Sequence, residues 1–232
     1  NKYKPVYWFH HAGWAKLYGS ESYDFNKSIR VNVIPLQNIY NNLRKVACKG
    51  IIITGSSAEY SDSDNECEEN DLCMPSMPYG LSKLFKTIRA SQLAYKYQIH
   101  TRIARIFIPY GPLDANNKLL PTVIDSLLKG NIIDLSPCKQ YRDFIYINDL
   151  VNGYALLLND IENGPLFDIY NLCSGIPTKL EKFLELIAKE IDVSSSLLNF
   201  GAKEMRPGEL KFSFGSCKKI TTKYPEVVNN MK

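Results

Sequence analysis

Several features are absent from these 232 residues, and each absence removes a class of protein. No Cys-x-x-Cys occurs, and Cys48, Cys67, Cys73, Cys138, Cys173 and Cys217 stand far apart. A disulfide scaffold would be shorter and denser in cysteine, so reduced thiols in a cytoplasmic protein are expected. Histidine is scarce: there are three, only His10 and His11 are neighbours, and no cysteine lies close by. That leaves no zinc-binding spacing, and no metal is expected. No run reaches the roughly 18–20 apolar residues that a membrane span requires, and no signal-peptide pattern opens the chain. Charge of one sign is not concentrated either. The net charge is +4 with basic residues scattered, which argues against nucleic acid and leaves room for a phosphate-bearing small molecule. There is no internal repeat and no low-complexity tract. Finally, the 13 glycines never gather into the G-x-x-G-x-x-G turn that cradles a dinucleotide's phosphates.

What remains is an ordinary globular composition, 45% hydrophobic and 22% charged, in a chain long enough to bury a core. Pro5–His10 reads as a buried strand. Ser28–Val46 reads as helical, with Pro35 tolerable at a helix start or kink. Gly50–Thr54 is short and β-branched, as a central parallel strand should be. Leu81–Tyr97 carries Leu81, Leu84, Phe85 and Ile88 at the spacing of one helix face, which is expected to pack inward. Thr101–Ile108 is the next strand, stopped by Pro109 and Tyr110-Gly-Pro112. Beyond it, Leu119–Leu128, Leu150–Leu158 and Leu180–Ile191 read as helices and Arg142–Ile147 as a short strand. Alternating strand and helix predicts an α/β fold with a doubly wound parallel sheet and a smaller mixed α/β lobe. The expected division is 1–112 for the sheet part with the chemistry and 113–232 mainly for a substrate lobe, with some segments returning to the sheet.

One constellation carries chemistry. Tyr79 and Lys83, four apart at a helix start, project from one face. A free tyrosine has a pKa of about 10, and a neighbouring ammonium is expected to lower it towards useful proton transfer. Such a spacing is common by chance, and two surface residues are the bland alternative. Upstream, Ile51-Ile-Ile-Thr54-Gly55-Ser56-Ser57 sets two hydroxyls at the carboxyl edge of a strand, where α/β sheets bind ligands. A serine there can bond the reacting oxygen; otherwise it caps a turn.

With these residues in order, the chain resembles the extended short-chain dehydrogenase/reductases, specifically the NAD-dependent epimerase/dehydratase family acting on nucleotide sugars. Phe9-His10-His11-Ala12-Gly13 is similar to the family's strand end bordering the cofactor, and Val31-Asn32-Val33 to its helix Asn. Gly55–Tyr60 resembles its Ser/Thr motif, Pro78–Lys83 its Tyr-x-x-x-Lys and Arg105–Pro112 its Arg-x-Phe-Asn-x-Tyr-Gly-Pro. Tyr141–Leu150 resembles its Arg-Asp-Phe motif, and Tyr170–Gly175 its Tyr-Asn-x-Gly-Ser-Gly. The resemblance implies a Rossmann-like sheet, NAD or NADP as cofactor, a nucleotide-diphosphate sugar as substrate, and a homodimer. It implies Tyr79 as acid/base, Lys83 as its pKa partner and ribose contact, and Ser56 as the hydroxyl-bonding residue. Ala12 and Gly13 would border the cofactor; Asn32, Ser57, Arg142 and Arg206 would contact substrate, the arginines through its phosphates. For Arg142 the alternative is an internal ion pair with Asp143 or Asp149, and for Arg206 an exposed loop charge. His10 and His11 are given no chemistry.

Three departures limit the resemblance. The glycine cradle and the acidic residue that selects between NAD and NADP are absent, so an opening βαβ unit carrying them is expected in the full protein. Ile108 stands where the family has Asn, and Cys173 where it has Gly. Family dehydratases place an acidic pair directly after the catalytic hydroxyl residue; here those positions are Ser57 and Ala58, and Glu59 comes one place late. That disfavours a dehydratase and leaves a 4-ketoreductase or a 4-epimerase; the Gly55-Ser56-Ser57-x-Glu59-Tyr60 form most resembles reductases of nucleotide-linked 4-keto-6-deoxyhexoses, so that activity is the expectation. The alternatives are a 4-epimerase and a non-catalytic relative that acts as a binding module.

Overall fold

The β-branched run Gly50-Ile-Ile-Ile-Thr54 lies at the middle of the molecule, and the rest is organised around it. The computed structural model describes residues 4–20, 22–206 and 208–225. In chain order its elements begin with β1 (Tyr7–His10), α1 (Phe25–Ser28), a π-helical turn (Ile29–Val33), α2 (Leu36–Lys45) and β2 (Gly50–Thr54). A 3-10 turn (Ser57–Glu59) precedes α3 (Pro78–Tyr97), β3 (His100–Ile106) and β4 (Ile108–Tyr110). The later part contains α4 (Leu119–Leu128), β5 (Ile133–Leu135), β6 (Tyr141–Arg142), β7 (Phe144–Tyr146), α5 (Ile147–Asn163) and β8 (Phe167–Leu172). Then follow β9 (Thr178–Lys179), α6 (Leu180–Glu190), β10 (Leu198–Phe200), β11 (Phe212–Ser213) and α7 (Lys218–Lys223).

The main sheet is parallel throughout, in the order β1-β2-β3-β8. One of its faces is filled by α2 and α3 around Ile51, Ile53 and Ile103, the other by α5 around Ile52, Ala104 and Tyr170. Helices on both faces explain why β2 and β3 are buried without alternation, β3 even at Arg102 and Arg105. Three small sheets pair β5 with β10, β6 with β9 and β11, and β4 with β7. Beside them α4 and α6 enclose a separate apolar cluster centred on Leu127, Leu184 and Leu198.

The structure corrects three expectations. β1 is not buried: it is the outer strand of the described sheet, and Trp8 and Phe9 are 41% and 40% exposed. The Ser28–Val46 helix is broken by the π-helical turn, and Pro35 caps α2, where its missing N–H costs nothing. The third concerns α3, which turns its polar side inward. Ser82, Lys83, Lys86 and Thr87 are buried, while Phe85 and Ile88 are exposed. The inward polar groups each find partners, described next, so burying them leaves few unmet hydrogen bonds.

Candidate active site

The carboxyl end of β2 delivers Ser56 and the 3-10 turn after it. Ser56 Oγ accepts from Ala58 N at 3.2 Å, and Glu59 Oε1 accepts from Ser56 N at 3.0 Å, a reciprocal cap. Glu59 is wholly buried, and its Oε2 also takes bonds from Arg105 Nε at 3.0 Å and Thr87 Oγ1 at 2.9 Å. That carboxylate is consumed in holding Ser56 in place. The start of α3 lies directly on this turn: a Cβ on Gly80 would come within 2.0 Å of Ala58 O, so only glycine permits the approach. The same approach brings Tyr79 close enough to Ser56 for the serine side chain to act on its hydroxyl.

Tyr79 sits in an aromatic cradle that the sequence motif did not reveal. Tyr18 packs against it with ring centroids 5.4 Å apart and Tyr23 edge-on at 5.7 Å. Tyr23 is held by bonds to Trp14 O and Ser82 Oγ, both 3.1 Å. Burial pushes the Tyr79 hydroxyl up to about 12; Ser56 pulls the other way, and Tyr23, Tyr18 and Glu59 push further up. This reverses the expectation that Lys83 lowers it. Lys83 is itself buried, donates to Thr54 O at 2.8 Å, and is held below the ordinary lysine range by desolvation. Tyr79 is thus a protonated acid at neutral pH.

Lys86, one turn beyond Lys83 and 1% exposed, was missed by the sequence reading. Its Nζ donates to Ala12 O at 3.0 Å and so ties the loop after β1 to α3. Burial, with Lys83 adding, holds it down at about 7 against the pull of Glu59. Its position on the inward face of α3 is the only signal that could have found it, and that face was misread.

Ala12 and Gly13 lie exposed at the carboxyl end of β1, close to where Lys83 meets Thr54. Asn32 is almost fully buried and spends both amide atoms on Trp14, accepting from its N at 2.6 Å and donating to its O at 3.2 Å. In this structure it shapes the loop after Gly13 and touches no open surface. His11 Nδ1 meets Thr54 Oγ1 at 2.7 Å, and Thr54 Oγ1 meets Tyr154 OH at 2.7 Å, a chain that pins the edges of β1 and β2. Ser57 is half-buried beside Ser56.

The two arginines have different surroundings. Arg142 Nη2 donates to Glu209 Oε1 at 2.6 Å and its Nη1 to Tyr141 O at 2.8 Å. An internal ion pair is therefore realised, with Glu209 and not with Asp143 or Asp149. Asp143 instead accepts from Ser174 N and Oγ and from Gly175 N and Gly215 N. Arg206 is exposed, with its Nη1 3.0 Å from where a side chain on Gly19 would begin. Gly208, with φ +70°, leads the same loop past Met77 at the start of α3. Arg206 and Gly208 therefore lie beside the Tyr18–Tyr79 side of the site.

These elements match a known pattern. The model of the NAD dependent epimerase/dehydratase family matches residues 1–173. The chain belongs to that family. Among curated relatives, CDP-abequose synthase of Salmonella typhimurium is 34% identical over 113 residues, 48% of this chain and 38% of that protein. The dTDP-4-dehydro-6-deoxyglucose reductase of Escherichia coli is 30% identical over 169 residues, 71% of this chain and 51% of that protein. The chain thus spans about two fifths to one half of the length of these relatives. A UDP-glucose 4-epimerase of Thermotoga maritima solved with UDP-glucose superposes with a TM-score of 0.85 at 19% identity, covering 95% of this chain and 71% of that one. A dTDP-glucose 4,6-dehydratase of Streptomyces venezuelae with NAD bound gives 0.82 at 20%, covering 94% and 66%. At such identities the likeness establishes the fold, a Rossmann-type α/β sheet.

The residues present suit one end of the family's dinucleotide. The exposed Ala12–Gly13 loop, Lys83 and Tyr79 converge at the carboxyl edge of β1 and β2, where a nicotinamide ribose would lie. No glycine-rich turn for the pyrophosphate occurs among the 232 residues. Among the described residues no cluster of His, Cys, Asp and Glu could hold a metal ion, and no helix is long and apolar enough to cross a membrane.

Proposed function

We propose that the whole protein reduces the 4-keto group of a nucleotide-linked 4-keto-6-deoxyhexose, with Tyr79 as proton donor. The observation that carries this reading is the state of the acids around Ser56. Tyr79 is held protonated, as a reductase requires when a carbonyl oxygen gains negative charge. Glu59 is locked by Arg105, Thr87 and the Ser56 backbone and cannot supply the second acid or base of a dehydratase. In this mechanism the substrate C4 oxygen lies between Ser56 Oγ and Tyr79 OH. Ser56 donates a hydrogen bond to it and Tyr79 gives up its proton. Lys83, fixed on Thr54 O, holds positive charge beside the phenolate that results. NAD or NADP, when bound, supplies the hydride; Ala12, Gly13, Tyr79 and Lys83 are the contacts this chain offers it. Arg142 and Arg206 grip the diphosphate, Arg142 by exchanging Glu209 for phosphate oxygens, and Ser57 and Asn32 complete the sugar side, Asn32 through the loop it shapes. Residues 1–112 carry the chemistry, and 113–232 mainly the substrate lobe.

The test incubates the full-length protein with nucleotide-linked 4-keto-6-deoxyhexoses and reduced nicotinamide, with products identified by mass and NMR. Gain of two hydrogens with stoichiometric loss of reduced-nicotinamide absorbance is expected. Interconversion of C4 epimers without net consumption would make it an epimerase, and binding without turnover a binding module.

The outward apolar side of α3 supports a homodimer. Phe85, Ile88 and Tyr95, with Val31 and Ile34 nearby in sequence to α2, form exposed surface that a second copy could bury. Light scattering of the parent and a Phe85→Asp/Ile88→Asp variant tests it, the parent being a dimer and the variant a monomer. A cytoplasmic location fits the six free thiols.

A further inference from the structure

Four of the six cysteines meet where the chemistry above does not operate. Cys67 and Cys173 share an apolar cluster with Tyr60 and Phe107, and Cys73 and Cys217 pack against it. Two of the four are closer still. Cys173 directly follows β8, Cys217 stands at the start of α7, and each packs onto the turn that carries the other. Two glycines make room for the pair. A Cβ on Gly215 would lie 2.9 Å from Cys173 Sγ, and a Cβ on Gly175 would lie 2.9 Å from Cys217 Sγ. Each sulfur fills the space that a side chain on the opposing turn would need. The two thiols also differ in access: Cys173 is buried and Cys217 half-buried. An outer thiol that reacts first, backed by an inner one that resolves, is the arrangement of redox-active pairs.

We propose that Cys173 and Cys217 form a reversible dithiol–disulfide site whose substrate is a low-molecular-weight disulfide of the glutathione type. The thiolate of Cys217 attacks one sulfur of that disulfide, forms a mixed disulfide and expels one thiolate, which takes up the proton Cys217 lost. Cys173 then attacks the Cys217 sulfur, loses its proton, and expels the second small thiol. Two protein thiols are oxidised by two electrons, and one small disulfide is reduced to two thiols. The Cys217 thiol suits the first role: the neighbouring Cys173 side chain holds it down at about 7, although burial, Asp143 and Glu66 push it up. Cys173 is pushed well above the ordinary thiol range and stays protonated until its partner has reacted.

The link would staple the start of α7 to the end of β8. Between the two cysteines lie the backbone donors of Ser174, Gly175 and Gly215 that fix Asp143, the neighbour of Arg142. The staple therefore rigidifies the two turns that hold Asp143, next to Arg142. It does not depend on which nucleotide sugar the protein uses, so its failure and that of the proposed activity are separable.

The experiment exposes full-length protein to oxidised glutathione, traps free thiols by alkylation, and maps the cysteine peptides by mass spectrometry. Expected are a loss of two hydrogens, a Cys173–Cys217 crosslinked peptide and full reversal by dithiothreitol. Cys173→Ser should stop at a stable glutathione adduct on Cys217, and Cys217→Ser should leave Cys173 unmodified. Circular dichroism confirms that both variants are folded. A parent in which Cys217 stays reduced, keeps only a glutathione adduct, or links to Cys67 or Cys73 would overturn the proposal.

Discussion

At the scale of single residues the site rests on Tyr79 and what surrounds it. Ser56, Tyr18 and Tyr23 surround its ring and hydroxyl, and burial holds its proton more tightly than in a free tyrosine. Removing that hydroxyl should cost turnover far more than binding. We expect Tyr79→Phe to lower kcat by about 10²–10⁴-fold. Isothermal titration of the nucleotide sugar should give a dissociation constant close to the parent's. A variant with parental kcat would remove Tyr79 from the chemistry. The spacing Tyr79–Lys83 and its distance from Ser56 were legible in the sequence, since both are local patterns on a βα unit. The direction of the Tyr79 shift was not, because it comes first from burial and then from Tyr23, Tyr18 and Glu59, which only the folded chain brings together.

At the scale of elements, α3 and α7 show what holds the site in place. The start of α3 lies against the turn after β2 only because residue 80 has no side chain. Gly80→Ala should push Tyr79 away from Ser56 and destabilise the protein by about 1–3 kcal/mol, the usual cost of overpacking. Urea unfolding measures the stability, and the kcat of the same variant should fall with it. At the other end, Asp160 on α5 is buried and collects Arg102, Lys223, Tyr170 and Tyr224, which anchors α7 against α5 and β8. Asp160→Ala leaves the fully buried Arg102 without its partner and should cost about 3–5 kcal/mol, read from the same unfolding curves. A loss below 1 kcal/mol would show that the network is not what docks α7. Apolar periodicity located α3 in the sequence within a few residues. It assigned the wrong face to the interior, because Lys83, Lys86 and Thr87 are paid for by Thr54 O, Ala12 O and Glu59, partners remote in sequence.

At the scale of the whole molecule, pH exposes the cost of burying ionisable groups at the end of β1. Burial, then Lys86, Lys83 and His11, hold His10 down at about 4 against an ordinary 6.5. Above pH 6.5 the ring is neutral in folded and unfolded chains alike. Between 6.5 and 4 the unfolded chain binds a proton that the folded chain refuses, so this contribution to stability is lost as pH falls. Glu69 and Asp143, both raised by burial, act in the opposite sense over part of that range. The His10 effect is therefore read as a difference: Tm of His10→Asn relative to the parent should rise steadily from pH 6.5 to 4. A constant difference would place the ring's titration in its ordinary range.

The sequence by itself determined the α/β class, the order of most strands and helices and the family, and it singled out Ser56, Tyr79 and Lys83 as the candidate site. These follow from hydrophobic period and from motifs confined to a dozen residues or fewer, where chain connectivity fixes geometry. Tertiary structure alone decided the inward polar face of α3, the aromatic cradle, the Arg142–Glu209 pair and the meeting of Cys173 with Cys217. Each depends on which segments far apart in sequence share a surface, and desolvation and hydrogen-bond partners, unlike propensity, are properties of that shared surface.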